Sequence, residues 1–148
     1  MKLLPTKLEE KKLSYYLGKS RNLSTEKFNK KFRIAILNSF TINGLEETLR
    51  VKCADEEIQC ISHVGAYNQY IQEILDENSS LYSFKPDLTF LILDVRTIFG
   101  ENYFFSYDIS VDKRKEFIKN KSNELINLIK KFIKKSNSKF VVTNLLIP

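Results

Sequence analysis

Short apolar, β-favouring runs alternate with helical stretches along most of this chain, and that alternation limits the fold more than any other feature. Arg33-Ile34-Ala35-Ile36-Leu37 is bounded by the polar Asn38-Ser39 and reads as a buried strand. Ile58 to Val64 is a second strand, stopped by Gly65. Leu88 to Val95, after the turn Lys85-Pro86-Asp87, is the strongest strand, and Phe140 to Thr143 is the last. Helical patterns lie between them. Leu45, Leu49 and Cys53 recur at four-residue spacing after a cap at Thr41 or Asn43, and Ile71, Ile74 and Leu75 sit in a helix over about 68–76. After a long loop holding Tyr103, Phe104, Phe105 and Tyr107, a helix of about 25 residues begins near Ser110. It carries Ile118, Leu125, Ile129, Phe132 and Ile133 on one stripe, with lysines opposite. Strands alternating with helices imply βαβ units and a parallel sheet, and near-continuous apolar strands imply that both of its faces are covered. The expected fold is a three-layer α/β/α sandwich with a mostly parallel sheet, flavodoxin-like in its winding.

Two short helices should precede the sheet. Thr6-Lys7-Leu8-Glu9 fits a capping box and opens a helix that Gly18 ends, and Ser24 or Thr25 starts another reaching Lys31. The expected division is a helical preamble over 1–31 and an α/β domain over 32–148. A strand ending near Pro148 with no closing helix leaves a sheet edge bare, so the domain is expected to be incomplete at its C-terminus and to self-associate or be covered by a partner.

Composition narrows the classes of function. A chain of 148 residues fits one domain, and 43% hydrophobic with 28% charged residues is a globular balance. The net charge of +6 raises the question of nucleic acid, but the excess lies in lysines at 7–31 and 113–135 that read as solvated helix faces. The arginines are scattered, and neither a nucleic-acid partner nor a membrane span is expected. With no leader pattern at Met1-Lys2-Leu3-Leu4-Pro5, the expected location is cytoplasmic. Cys53 and Cys60 show no disulfide or zinc spacing and read as small buried side chains. The glycines, Gly18, Gly44, Gly65 and Gly100, make no phosphate-binding loop, which removes dinucleotide and nucleoside-triphosphate readings. No metal cluster or cofactor motif is expected in this chain.

In open α/β sheets, ligands collect beyond the C-terminal strand ends, and that rule selects the candidate residues. The places it selects are Asn38, Ser39, Phe40 and Thr41 after the first strand, Gly65, Tyr67, Asn68 and Gln69 after the second, Asp94, Arg96 and Thr97 after the third, and Asn144 after the fourth. The ligand-binding candidates among them are Asn38, Ser39, Thr41, Tyr67, Asn68, Asp94 and Arg96. Ser39, in a strand-to-helix turn, is a weak candidate nucleophile. Its only possible imidazole base, His63, lies inside a strand and would have to reach the same end. Asp94 and Arg96 alternate along the strand end, where they either pair with each other or hold a polar ligand. Arg96 is the stronger anion contact, because a guanidinium grips a carboxylate or phosphate with two prongs. Tyr67 and Asn68 form a donor-rich rim or simply cap and pack a helix.

The segments Phe32 to Leu45, Val64 to Glu73, Asn78 to Tyr82 and Phe84-Lys85-Pro86-Asp87 together resemble the N-terminal part of FkbH-like proteins. The resemblance implies an SGNH-hydrolase-like domain, joined in that family to a HAD-type domain that uses an aspartate and Mg2+. It also implies work on glyceryl units and acyl carrier proteins, in polyketide or surface-polysaccharide biosynthesis. Asn38-Ser39-Phe40 stands where true SGNH esterases read Gly-Asp-Ser, so the nucleophile position holds Phe40. Magnesium is then expected only in the HAD-type domain, outside this chain. The implied role is a non-catalytic domain that helps hold a substrate or carrier protein. A divergent esterase or acyltransferase using Ser39, or a plain interaction module, are the alternatives.

Overall fold

The computed structural model describes residues 11–24, 28–104, 107 and 109–145. The capping box at 6–9, Phe105 and residues 146–148 lie outside that set, as does Thr25, one of the two expected starts of the second N-terminal helix; Ser24, the other, is described and is not helical. The chain divides into two compact units, one of residues 1–31 and 43–60 and the other of residues 32–42 and 61–148.

The first unit joins two helices, α1 (Leu13–Arg21) and α2 (Leu45–Asp55). Helix α1 runs through Gly18 instead of stopping there, because a helical glycine costs only about 1 kcal/mol relative to alanine. Helix α2 is not capped by Thr41 or Asn43. Gly44 is its N-cap, at φ +83, a left-handed conformation that disfavours any side chain. A β-carbon there would also clash with Leu13 Cδ1, so the glycine lets the two helices close together. Lys19 pairs with Asp55 across them, and Tyr16 and Val51 are buried. Residues 43–60 therefore share a compact unit with the helical preamble.

The second unit is an α/β fold. Its sheet runs in the order β2-β1-β3-β4, from β1 (Lys30–Asn38), β2 (Ile58–Val64), β3 (Leu88–Ile92) and β4 (Lys139–Val142). β1 is parallel to β3, with Ile36 opposite Phe90, and β3 is parallel to β4, with Thr89 opposite Phe140. Strand β1 begins at Lys30, so the second preamble helix does not extend to Lys31. Alternate β1 residues divide between the sheet's faces. Ala35 and Leu37 point into a cluster with Leu91, while Ile34 and Ile36 are buried on the other side.

Helix α3 (Tyr70–Leu75), α4 (Ser80–Phe84) and α7 (Val111–Lys135) cover the Ala35 face. Phe132 is fully buried there, between the rings of Tyr82 and Phe140. The expected 96–110 loop instead begins with two short helices, α5 (Val95–Phe99) and α6 (Glu101–Phe104). β3 consequently ends at Ile92, earlier than its apolar run suggests. The single apolar stripe expected on α7 splits in two. Leu128 and Phe132 are buried, whereas Ile118 and Ile133 are 51% and 58% exposed.

Candidate functional site

The strand order turns back between β1 and β3, which makes the C-terminal ends of those two strands the natural crevice of the sheet. Ser39 lies there, completely buried, with its polar groups engaged by the fold. Its N–H donates to Ile92 O at 3.1 Å, which extends the β1–β3 ladder by one rung. Its Oγ accepts the Asp94 N–H at 2.7 Å, and its carbonyl accepts from Thr97 Oγ1 at 3.4 Å. Ser39 thus fastens the end of β1 to the start of α5.

Asp94 is the N-cap of α5. Its Oδ2 accepts the Thr97 N–H at 3.1 Å and faces Thr97 Oγ1 at 3.4 Å, meeting part of the unsatisfied donor capacity of a helix start. Asp94 and Arg96 belong to a cap and a helix, so the expected strand alternation does not relate them. Arg96 is exposed and lies with its guanidinium carbon 5.9 Å from the Tyr103 ring centre.

Asn38 is buried, and its Nδ2 donates to Phe40 O at 2.6 Å. Its carbonyl accepts the Asn68 N–H at 3.1 Å, tying the loop after β2 to the end of β1. Asn68 reaches that position at φ +55, a region asparagine tolerates better than most residues. Asn38 Oδ1 is buried without a hydrogen-bond partner among the described residues, a state that costs about 1–3 kcal/mol. Tyr67 and Thr41 stand exposed nearby in the sequence of loops, and Phe40 is 36% exposed.

His63 is engaged elsewhere. Its Nε2 lies 2.9 Å from Glu73 Oε2 on α3, and its ring packs 5.5 Å from that of Phe84. The Gly65 N–H donates to Ile36 O, so His63 is two residues behind that rung and Ser39 is three residues ahead of Ile36 on the next strand. At ~3.3 Å per residue the two are separated by on the order of 15 Å along the sheet. The structure does not bring this histidine to Ser39. Gly65 keeps the His63–Glu73 pair in place, because a β-carbon there would stand 2.8 Å from Glu73 Oε1.

Beside the strand ends, a cavity of about 590 Å³ opens between α3, the β3–α5 turn and α7. Its size is within the range of small-molecule sites. Ile71, Leu75, Leu93 and Leu125 supply apolar walls, and Asn68, Thr97, Lys121 and Lys131 supply polar edges. Of the strand-end residues selected from the sequence, Asn68 and Thr97 are among its lining. Lys121 is paired with Glu124 at 2.7 Å, and burial pushes the lining phenol of Tyr70 up, so that it stays a neutral donor. Such a cavity accommodates a partly apolar molecule with a polar end. The lysines on α7 were read from sequence as solvated, and only the packing of α3 on α7 reveals that two of them edge a cavity. Among the described residues no three His, Cys, Asp or Glu side chains gather as a metal site would require. No described helix is long and apolar enough to cross a membrane.

No family model matches the chain, and a search of curated proteins finds no match to it. Among solved structures it is similar to the N-terminal part of protein BF1531 from Bacteroides fragilis, which contains a phosphatase domain complexed with Mg. The two superpose with a TM-score of 0.73 at 14% sequence identity, over 90% of this chain. The chain spans 33% of that structure's length. The likeness establishes the α/β fold.

Proposed function

We propose that this chain serves as a non-catalytic SGNH-like N-terminal domain of an FkbH-like protein, holding a substrate or an acyl carrier protein for chemistry done by a magnesium-dependent phosphatase-type domain. The observation that carries the reading is Ser39. A nucleophilic hydroxyl needs access to substrate and a base within hydrogen-bond reach. Ser39 Oγ is fully buried and accepts the Asp94 amide, while the imidazole of His63 is bound to Glu73. The neighbouring cavity, apolar within and polar at its edge, supports a holding role for an acyl group or a small polar substrate.

The test is hydrolysis of short-chain p-nitrophenyl esters by the intact chain and by Ser39→Ala. Background turnover, equal in both, is expected. Clear turnover that disappears in Ser39→Ala would overturn the reading in favour of a divergent esterase.

A further inference from the structure

Helix α7 contains nine cationic side chains and three carboxylates, so its net +6 equals the excess of the whole 148-residue chain. The rest of the sequence is balanced. The helix is also apolar on more of its circumference than the core covers. Phe117, Leu125 and Phe132 turn inward to different degrees, and each is followed one residue later by an isoleucine, about 100° further round the axis. These are Ile118, Ile126 and Ile133, which are 51%, 46% and 58% exposed, and Val111 begins the same line at 54%. Spacings of seven and eight residues keep them on one side of the helix, over roughly 22 Å from Ile118 to Ile133. Lys119, Lys130 and Lys134 follow those isoleucines by one or four residues and border the line on its outer side; Asp112 and Glu116 share that side near the start of the helix, so the cationic border runs from Lys119 onwards. Among the described residues none of these three lysines is ion-paired.

We infer that this face of α7 is a docking site for an acidic amphipathic helix of a partner protein. The inference rests on the proposed holding role for the partner's purpose, and on α7 alone for its chemistry. A narrow apolar ridge fits the groove of another helix at an ordinary packing distance of about 8–10 Å. Carboxylates flanking the partner's stripe meet the lysine border, which supplies both attraction and steering. A second copy of the chain would set two lysine borders against each other. A membrane-surface helix usually offers a broader apolar face with large aromatic side chains at the interface, and this line has neither. Nucleic acid would find aliphatic side chains where stacking rings are expected.

The experiment titrates the intact chain into a labelled helical peptide of about 20 residues, with leucines on one stripe bordered by glutamates, and follows anisotropy. The controls are the same peptide with lysine for glutamate, vesicles of phosphatidylcholine with phosphatidylglycerol, and a mixed-sequence oligonucleotide. The acidic peptide should bind at least about tenfold more tightly than its lysine counterpart. Ile126→Ser with Ile133→Ser should reduce that binding by about tenfold or more, and so should Lys130→Glu with Lys134→Glu. Both double variants alter exposed side chains, and an unchanged circular dichroism spectrum confirms that they fold. Equal binding of the two peptides would overturn the inference. So would binding of only the vesicles or the oligonucleotide, or dimerisation of the chain that the isoleucine substitutions abolish. None of these results bears on ester hydrolysis at Ser39, so the two proposals fail separately.

Discussion

The end of β1 and the outer side of α7 treat polar and apolar groups in opposite ways. At the strand end, Ser39, Asp94 and Thr97 bond to one another and to backbone, so that side chains suited to chemistry are consumed in joining β1, β3 and α5. On α7, isoleucines and lysines remain open to solvent along several turns. The place where the α/β rule expects reactivity is closed, and a helix that would ordinarily serve as packing material keeps an unused face. Residue type at a favoured position is thus a weaker guide to function than what the residue is already bonded to.

Adjacent residues on α7 offer the sharpest way to break this comparison. Phe132→Ala should destabilise the chain by about 3–5 kcal/mol, since it empties a fully buried site between two rings. Ile133→Ala should change stability by less than about 0.5 kcal/mol. Urea unfolding of both variants decides it, and a large loss at Ile133 would mean that the outer face is part of the core.

At the strand end, Ser39→Ala should cost about 1–3 kcal/mol by stranding the Asp94 N–H. The same unfolding experiment measures it, and a neutral result would show that the Oγ–amide bond is dispensable. Gly65→Ala should cost less, on the order of 1 kcal/mol, because Glu73 is a flexible side chain that can swing aside and the buried Leu37, whose Cδ2 would lie 3.0 Å from the new β-carbon, has to yield by only a few tenths of an ångström. Its cleaner signature is a changed His63 ring resonance in NMR as the Glu73 contact is disturbed.

The smallest effect concerns Cys60, whose thiol burial pushes up to about 12 from 9.0. The sign follows from proton binding. Between those values the folded chain holds a proton that the unfolded chain releases, so the stabilisation is complete below pH 9.0 and fades as the pH rises towards about 12. At pH 8, Cys60 should therefore react with iodoacetamide at least about tenfold more slowly in the folded chain than in urea, because the thiolate that reacts is depleted by the raised pKa. Mass spectrometry of the modified peptides distinguishes it from Cys53, and equal rates in both states would refute the protonated thiol.

The principal strands were legible because short apolar runs of mainly β-favouring residues with polar bounds, as at Ile34 to Leu37 before Asn38-Ser39, leave few other options. The far end of β3 was misread because Leu93 and Val95 prolong its apolar run, while the terminating event is a cap formed by Asp94 with Thr97. Helices α4, α5 and α6 are too short to show a helical period. The stripe on α7 was visible, but its division into buried and exposed lines depends on neighbours that periodicity does not contain. The role of Ser39 was hidden for a related reason, since its partner lies 55 residues away in the chain.

The position of β1 in the sheet also sets a timetable for synthesis. β1 emerges from the ribosome first, yet its parallel neighbour β3 lies 54 residues later in register, and β4 lies 51 beyond that. At ~5–20 residues per second, the Ile34–Leu37 run waits several seconds for β3. Pairings so distant in sequence also form slowly once the chain is free. During that interval β2 can cover only one edge of β1, the other edge is available to other nascent chains, and the two lysines that open the strand, Lys30 and Lys31, act as gatekeepers by placing charge at its leading end.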